Sequence, residues 1–245
     1  MTAIALGRTR RTSLVSTVCA LVVAGTGLLA GCSEDPDAGT NGVGKLPADK
    51  IQSKTRAAAE SAEAVRLAGT VVTNGRTYTL DMRLKSGGGS GSVTSKGVAF
   101  GLLRIGEQLY LKAGAEFWNH ADGNASAGGT LDGKYVKVPQ GDPSYKKFSG
   151  FTDKDVLLDG LLTLHGALAT DGHHEQAGTR TIRITADKGS GGTLDVSLEG
   201  TPYPLRLERA GGAGTLTFSS WGQDFPLTEP KKDETVDYGR KLPTS

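Results

Sequence analysis

Arg76-Thr77-Tyr78-Thr79-Leu80-Asp81-Met82-Arg83-Leu84-Lys85 alternates without a break. Tyr78, Leu80, Met82 and Leu84 fall on one side of an extended chain, and Thr77, Thr79, Asp81 and Arg83 fall on the other. A period of two with one apolar face specifies an antiparallel strand that buries one side and wets the other. The dipeptide just before it, Asn74-Gly75, is a strong hairpin signal, because both residues accept the positive φ of a tight two-residue turn. The same period returns at Ile182/Ile184, Leu194/Val196/Leu198, Leu205/Leu207 and Leu216/Phe218, interleaved with Arg183, Asp195, Ser197, Arg206 and Thr217. Gly106-Glu107 separates two further strands, Val98–Ile105 and Gln108–Lys112, while Ser86 to Gly91 and Gly189 to Gly192 read as glycine-rich connections. With 36 glycines and only 6% aromatic residues, the composition suits many strands and short turns.

Two segments break the period. Pro47 to Val65 predicts a helix, with proline well placed at its start and Ile51, Ala58, Ala62 and Val65 on one side. Asp153 to about Leu164 predicts a second, leucine-rich helix, with Thr152 and Asp155 contributing to its N-terminal cap. Ala121 to Gly133 reads as a loop. The fold class that follows is α+β: one large, curved, one-faced antiparallel sheet with two helices against its concave face. The first helix offers mainly alanines. A broad sheet faced by short side chains can leave an apolar cavity, and such a cavity stays dry and admits an apolar ligand.

The front of the chain is of another kind. Arg8, Arg10 and Arg11 precede an apolar run from Leu14 to Ala30, and no acid occurs before Glu34. Basic, apolar and then small residues is the order of a secretory signal peptide, which is set apart from fold reasoning. Leu29-Ala30-Gly31-Cys32 resembles the lipobox of bacterial lipoproteins, which implies cleavage before Cys32 and diacylglycerol on its thiol. The competing reading is a plain membrane anchor, but the run is short of the roughly 20 residues a spanning helix needs. Arg10-Arg11 also hints at twin-arginine export, although Ser13 stands where a bulky residue is expected, and ordinary secretion is the default.

The boundaries then fall at 1–31 for the signal, 32–46 for the lipidated cysteine and a polar tether, 47–229 for the folded domain and 230–245 for a charged tail. Three of the 28 basic residues leave with the signal, so 25 face 26 acids and no basic field remains to attract nucleic acid. Cys19 and Cys32 are the only cysteines, which leaves the domain without a disulfide, a thiolate metal site or a cysteine nucleophile.

Two later phrases carry a resemblance. Leu103-Arg104-Ile105-Gly106-Glu107-Gln108-Leu109-Tyr110-Leu111-Lys112 leads to Phe117-Trp118. Leu216-Thr217-Phe218-Ser219-Ser220-Trp221-Gly222 leads to Phe225-Pro226-Leu227. With the lipobox, helix and one-faced sheet, the layout resembles the actinobacterial LppX/LprG-like lipoproteins that carry lipids across the cell envelope. These are similar in fold to the LolA/LolB half-barrel carriers. The resemblance implies a lipid or other apolar ligand held against the apolar side of the strands. The candidate cavity residues are then Leu80, Met82, Leu84, Phe100, Leu102, Ile182, Ile184, Val196, Leu198, Leu216 and Phe218. It implies no catalytic residue and no cofactor, and attachment to the outer face of the membrane would rest on lipid at Cys32. The long glycine-rich connection between Phe117 and Tyr135 departs from the family and bears on the cavity mouth.

Other chemistry is thin. His173-His174 beside Glu175 invites a metal, but no helical His-x-x-x-His spacing or thiolate accompanies them, and solvated loop residues is the simpler reading, as for His120. No Gly-x-Ser-x-Gly or phosphate-binding glycine loop occurs. Asp153, Asp155 and Asp159 read as a solvated helix face. Trp118 and Trp221 read as core or rim residues with the ring N–H turned to water. Two functions stay open: a lipid-binding lipoprotein, or a non-catalytic partner-binding or sensory domain whose half-barrel is solid.

Overall fold

The computed structural model describes residues 35–122 and 129–237. Its strands are β1 (Ala64–Thr73), β2 (Arg76–Lys85), β3 (Gly88–Ser95), β4 (Val98–Ile105), β5 (Gln108–Ala113), β6 (Tyr135–Val138), β7 (Leu168–Gln176), β8 (Thr179–Ala186), β9 (Gly192–Ser197), β10 (Pro204–Arg209), β11 (Thr215–Ser219) and β12 (Thr235–Asp237). They form one 12-stranded sheet in the order β12-β6-β5-β4-β3-β2-β1-β11-β10-β9-β8-β7, curved and unclosed. Every pairing is antiparallel except β12 with β6. The helices are α1 (Ala48–Ser61), α2 (Ala115–Asp122), α3 (Pro143–Ser149) and α4 (Lys154–Leu162). Among the described residues no helix is long and apolar enough to cross a membrane.

The opening decapeptide is β2, and its alternation becomes a register. Asn74 and Gly75 both have positive φ, at 51° and 69°, and set Thr73 opposite Arg76. From that turn the inward side chains line up strand by strand. Ile184, Leu194, Leu207, Leu216, Gly69, Leu80, Val93, Phe100 and Ala113 are successive partners from β8 to β5. A slip of one residue anywhere would turn such a row out into water.

The concave side is filled from two directions. α1 buries Ile51, Thr55, Ala58 and Ala59 and packs against α4, β7 and β8. α4 buries Leu158, Leu161 and Leu162, and its N-cap Asp153 accepts from the Val156 amide. Arg104 docks α4 on the sheet. It points inward in a row with Leu84 and Gly89 and donates to Thr152 Oγ1 at 3.1 Å, Thr152 O at 3.0 Å and Asp153 Oδ2 at 3.1 Å. Gly89 makes the approach possible, because a Cβ there would lie 2.7 Å from Leu84 Cδ2 and 3.1 Å from Thr152 O. Lys154, 4% exposed, joins the helices by donating to Glu60 O at 2.8 Å at the end of α1.

Several expectations are corrected. The segment before residue 46 is not a free tether from Asp35 onward. The Asn41 amide donates to Leu198 O at 2.9 Å, its Nδ2 reaches Ser197 O and Gly200 O, and Val43 is buried in a 3-10 turn. Polar side chains that satisfy nearby backbone make a docked loop as readily as a linker. At the other end, Thr235–Asp237 is an edge strand on β6 rather than part of a loose tail. The first helix stops at Ser61, and Val65 belongs to β1. The second begins after Asp153, with Thr152 engaged by Arg104 instead of capping. Gly88 to Gly91 are strand residues of β3, leaving Ser86-Gly87 as the connection. The expected loop after Ala121 is helical up to Asp122 and again at 129–131, where Leu131 is fully buried. The signal segment, Cys32 and the His120 side chain lie outside the described residues.

Candidate ligand cleft

The eleven side chains singled out for a cavity share one environment. Leu80, Met82, Leu84, Phe100, Leu102, Ile182, Ile184, Val196, Leu198, Leu216 and Phe218 are all buried in a single apolar core. Most are packed by neighbours on every side, with α1 and α4 seated over them. Phe100 also borders an open space.

That space is a cleft of about 220 Å³ at one end of the sheet. Strand ends build its floor: Arg76 and Tyr78 from β2, Ser95 from β3, and Val98 and Phe100 from β4. Phe117 of α2 and Ser144, Lys147 and Phe148 of α3 supply the walls. Phe100 is the centre, with its ring 5.2 Å from Phe117 and 5.4 Å, edge-on, from Phe148. Such pairs favour these offset geometries and hold one another's rotamers.

Local chemistry positions each wall. α3 starts because Asp142 accepts from the Ser144 amide at 2.7 Å and Pro143 has its φ fixed for a first helical turn. Tyr145 fastens the helix by donating to Glu107 O at 2.8 Å. α2 is held from below by Trp118, which is fully buried, stacks edge-on against Phe117 at 5.0 Å and donates its ring N–H to Ala113 O at 3.3 Å. Its N–H therefore meets a carbonyl, not water. Trp221 likewise donates to Pro204 O and stacks on Tyr203 at 4.7 Å. The periodicity of β2 marked Tyr78 as an inward residue, and the family resemblance marked Phe100. The contribution of α3 was missed, and Asp142-Pro143 was the signal that could have found it.

The histidines stand elsewhere. His173 and His174 lie on β7, an edge strand of the sheet, where a bulge at Gly172 interrupts the pairing, so they are strand residues and not loop residues. His173 Nε2 contacts Asp37 Oδ1 at 3.1 Å, and His174 Nε2 contacts Asp171 O at 2.9 Å. Among the described residues no three His, Cys, Asp or Glu side chains converge on a point that would hold a metal. Asp153, Asp155 and Asp159 are each joined to a cation, Arg104, Lys154 and Arg56 in turn.

No family model matches the chain, and no curated protein matches its sequence. Solved structures do. LprF from Mycobacterium bovis aligns over 75% of this chain and 96% of its own, at 16% identity and a TM-score of 0.55. The Mycobacterium tuberculosis lipoprotein LppX aligns over 74% and 99%, at 16% identity and a TM-score of 0.45. An uncharacterized conserved protein from Thermus thermophilus aligns over 78% and 98%, at 11% identity and a TM-score of 0.37. The likeness to LprF is one of fold: the chain is a half-barrel of that kind.

Proposed function

We propose that this chain is an exported cell-envelope lipoprotein, anchored through lipid on Cys32, whose half-barrel binds a lipid or other apolar ligand admitted at the Tyr78/Phe100/Phe117/Phe148 cleft. One observation carries the reading. In a fold shared with LprF, the aromatic side chains Tyr78, Phe100, Phe117 and Phe148 line an open cleft at the border of the apolar core. Acyl chains bind by leaving water, at about 0.8 kcal/mol per buried CH₂, and ask for few polar groups. The signal-like segment and Leu29-Ala30-Gly31-Cys32 support export and anchoring, since two or more acyl chains hold a protein on a bilayer where one does so only marginally. No nucleophile, paired catalytic carboxylate or cofactor is needed for such a role.

The packing behind Phe100 favours a second reading. Core rows in which Met82, Ile184 and Val196 are fully buried suit a solid domain whose surface meets a protein partner. Native mass spectrometry on residues 33–245, which include the whole described body, separates the two. Bound lipid carried through purification, or taken up from phospholipid vesicles, is the expected result. A clean unliganded mass after vesicle incubation overturns ligand binding in favour of the partner-binding domain.

A further inference from the structure

We infer that the cleft selects an amphiphile with an anionic head, a carboxylate or a phosphate, whose chain lies on the aromatic walls; this rests on the reading of the cleft as the ligand site. Two of the residues that line the cleft are cations, Arg76 and Lys147, and none is an acid. Both are exposed at the rim, and among the described residues neither is joined to a carboxylate. Several other arginines are neutralised, Arg66 by Asp81, Arg104 by Asp153, Arg183 by Asp195 and Arg206 by Glu208, and Arg83 and Arg209, which among the described residues pair with no carboxylate, do not line the cleft. With 25 basic and 26 acidic residues beyond the signal, the body has almost no net charge, so an acid-free pair of cations is a local excess.

Their placement suits a head group. Lys147 holds its ammonium 5.5 Å from the Phe148 ring centroid, directly beside the apolar wall. Arg76 follows the Asn74-Gly75 turn at the start of β2, two residues before Tyr78. Lys96, in the turn between β3 and β4, adds a third exposed cation at the same end of the sheet. A planar guanidinium matches the fork of a carboxylate or phosphate, and charge-assisted hydrogen bonds are about twice as strong as neutral ones. The Phe and Tyr walls cannot tell one acyl lipid from another, so discrimination falls to the rim.

The test compares three ligands of one chain length on residues 33–245 by calorimetric titration below their micelle concentrations. These are a fatty acid, a lysophosphatidylglycerol and an uncharged monoacylglycerol. At low salt at least one anionic lipid should bind about tenfold more tightly than the monoacylglycerol, and the tighter of the two identifies the head. The gap should shrink to within about twofold in Arg76→Gln/Lys147→Gln, whose exposed positions leave the fold alone. Equal affinities for all three lipids overturn the head-group inference while leaving the cleft as the ligand site. An anionic preference that survives the double substitution overturns it too. If none of the three binds, the cleft reading itself fails, and the inference with it.

Discussion

Tyr110 donates its phenolic hydrogen to Glu229 Oε1 at 2.9 Å, and that bond fastens the segment around Glu229 across the convex face of the sheet. The strap can be followed strand by strand. Phe225 lies under Arg83 and Lys85 of β2, each with its charge 5.3 Å from the ring centroid. Leu227 meets Gly88 of β3, Glu229 meets Tyr110 of β5, and β12 then pairs with β6. Burial, followed by the Glu229 carboxylate, pushes the Tyr110 phenol up to about 12. A raised folded-state value means that the native protein keeps a proton the unfolded chain gives up near its ordinary 10. The contribution is therefore whole below pH 10 and is lost as pH rises from 10 to 12, at most about 2–3 kcal/mol. Urea unfolding at pH 9 and pH 11.5 should show a steeper loss for the native chain than for Tyr110→Phe. Parallel losses would refute the coupling.

A second tie holds the opposite edge. Arg183 clamps Asp195 through two bonds, Nε to Oδ1 at 2.7 Å and Nη2 to Oδ2 at 2.9 Å, and Gln176 Nε2 adds a third at 3.0 Å. Asp195 is 1% exposed, so removing its partner strands a charge away from water. Arg183→Leu should cost about 3–5 kcal/mol, the usual range for breaking a buried pair. Arg183→Leu/Asp195→Leu should recover most of that loss. Thermal or denaturant unfolding of the double-mutant cycle reads the coupling, and additive losses would show that the pair acts as two independent polar groups.

Sequence reading succeeds where one face of a strand meets water. In β2, burial alternates along the strand, and Asn74-Gly75 fixes the turn. It falters where both faces are covered. Leu102 points into the core and Leu103, also buried, points to the opposite face, so β4 presents apolar residues in both phases, while its inward Arg104 looks like a surface residue. The same cover explains why Tyr110 is 3% exposed on the outer side. Polarity misleads at Asn41 and at His173, because each spends its side chain on a specific partner that only the assembled sheet brings near. The cleft was half legible: the alternation of β2 announced Tyr78 and the family resemblance pointed to Phe100, whereas α3 is a seven-residue helix too short for a periodic signal.

Thr55 sits on the inward side of α1, 0% exposed, and its hydroxyl has no hydrogen-bond partner among the described residues. An unsatisfied buried hydroxyl costs about 1–3 kcal/mol, and valine has nearly the same shape. Thr55→Val should therefore raise stability by about 1 kcal/mol and shift the melting temperature upward by a few degrees. A destabilised variant would reveal that the hydroxyl holds a partner in solution, and would point to a polar contact inside the half-barrel.

Whether a ligand stays in the cleft or reaches beneath the helices can be decided with one filled and one emptied position. Val98 is half-buried on the cleft floor, and Val98→Trp should occupy the space and lower lipid affinity at least tenfold with little change in unfolding. Ile184 lies far along the inward row, fully buried and away from the cleft. Ile184→Ala should cost about 2–5 kcal/mol through lost burial and the cavity left behind. A ligand confined to the cleft would keep its affinity in that variant within about twofold. A ligand that threads between α1 and the sheet would instead bind more tightly once Ile184 is shortened, because the new space offers its chain more apolar wall. Affinity by calorimetry beside stability by denaturant, measured on both variants, therefore locates the chain: loss at Val98 with constancy at Ile184 places it at the aromatic end, and a gain at Ile184 moves it into the core.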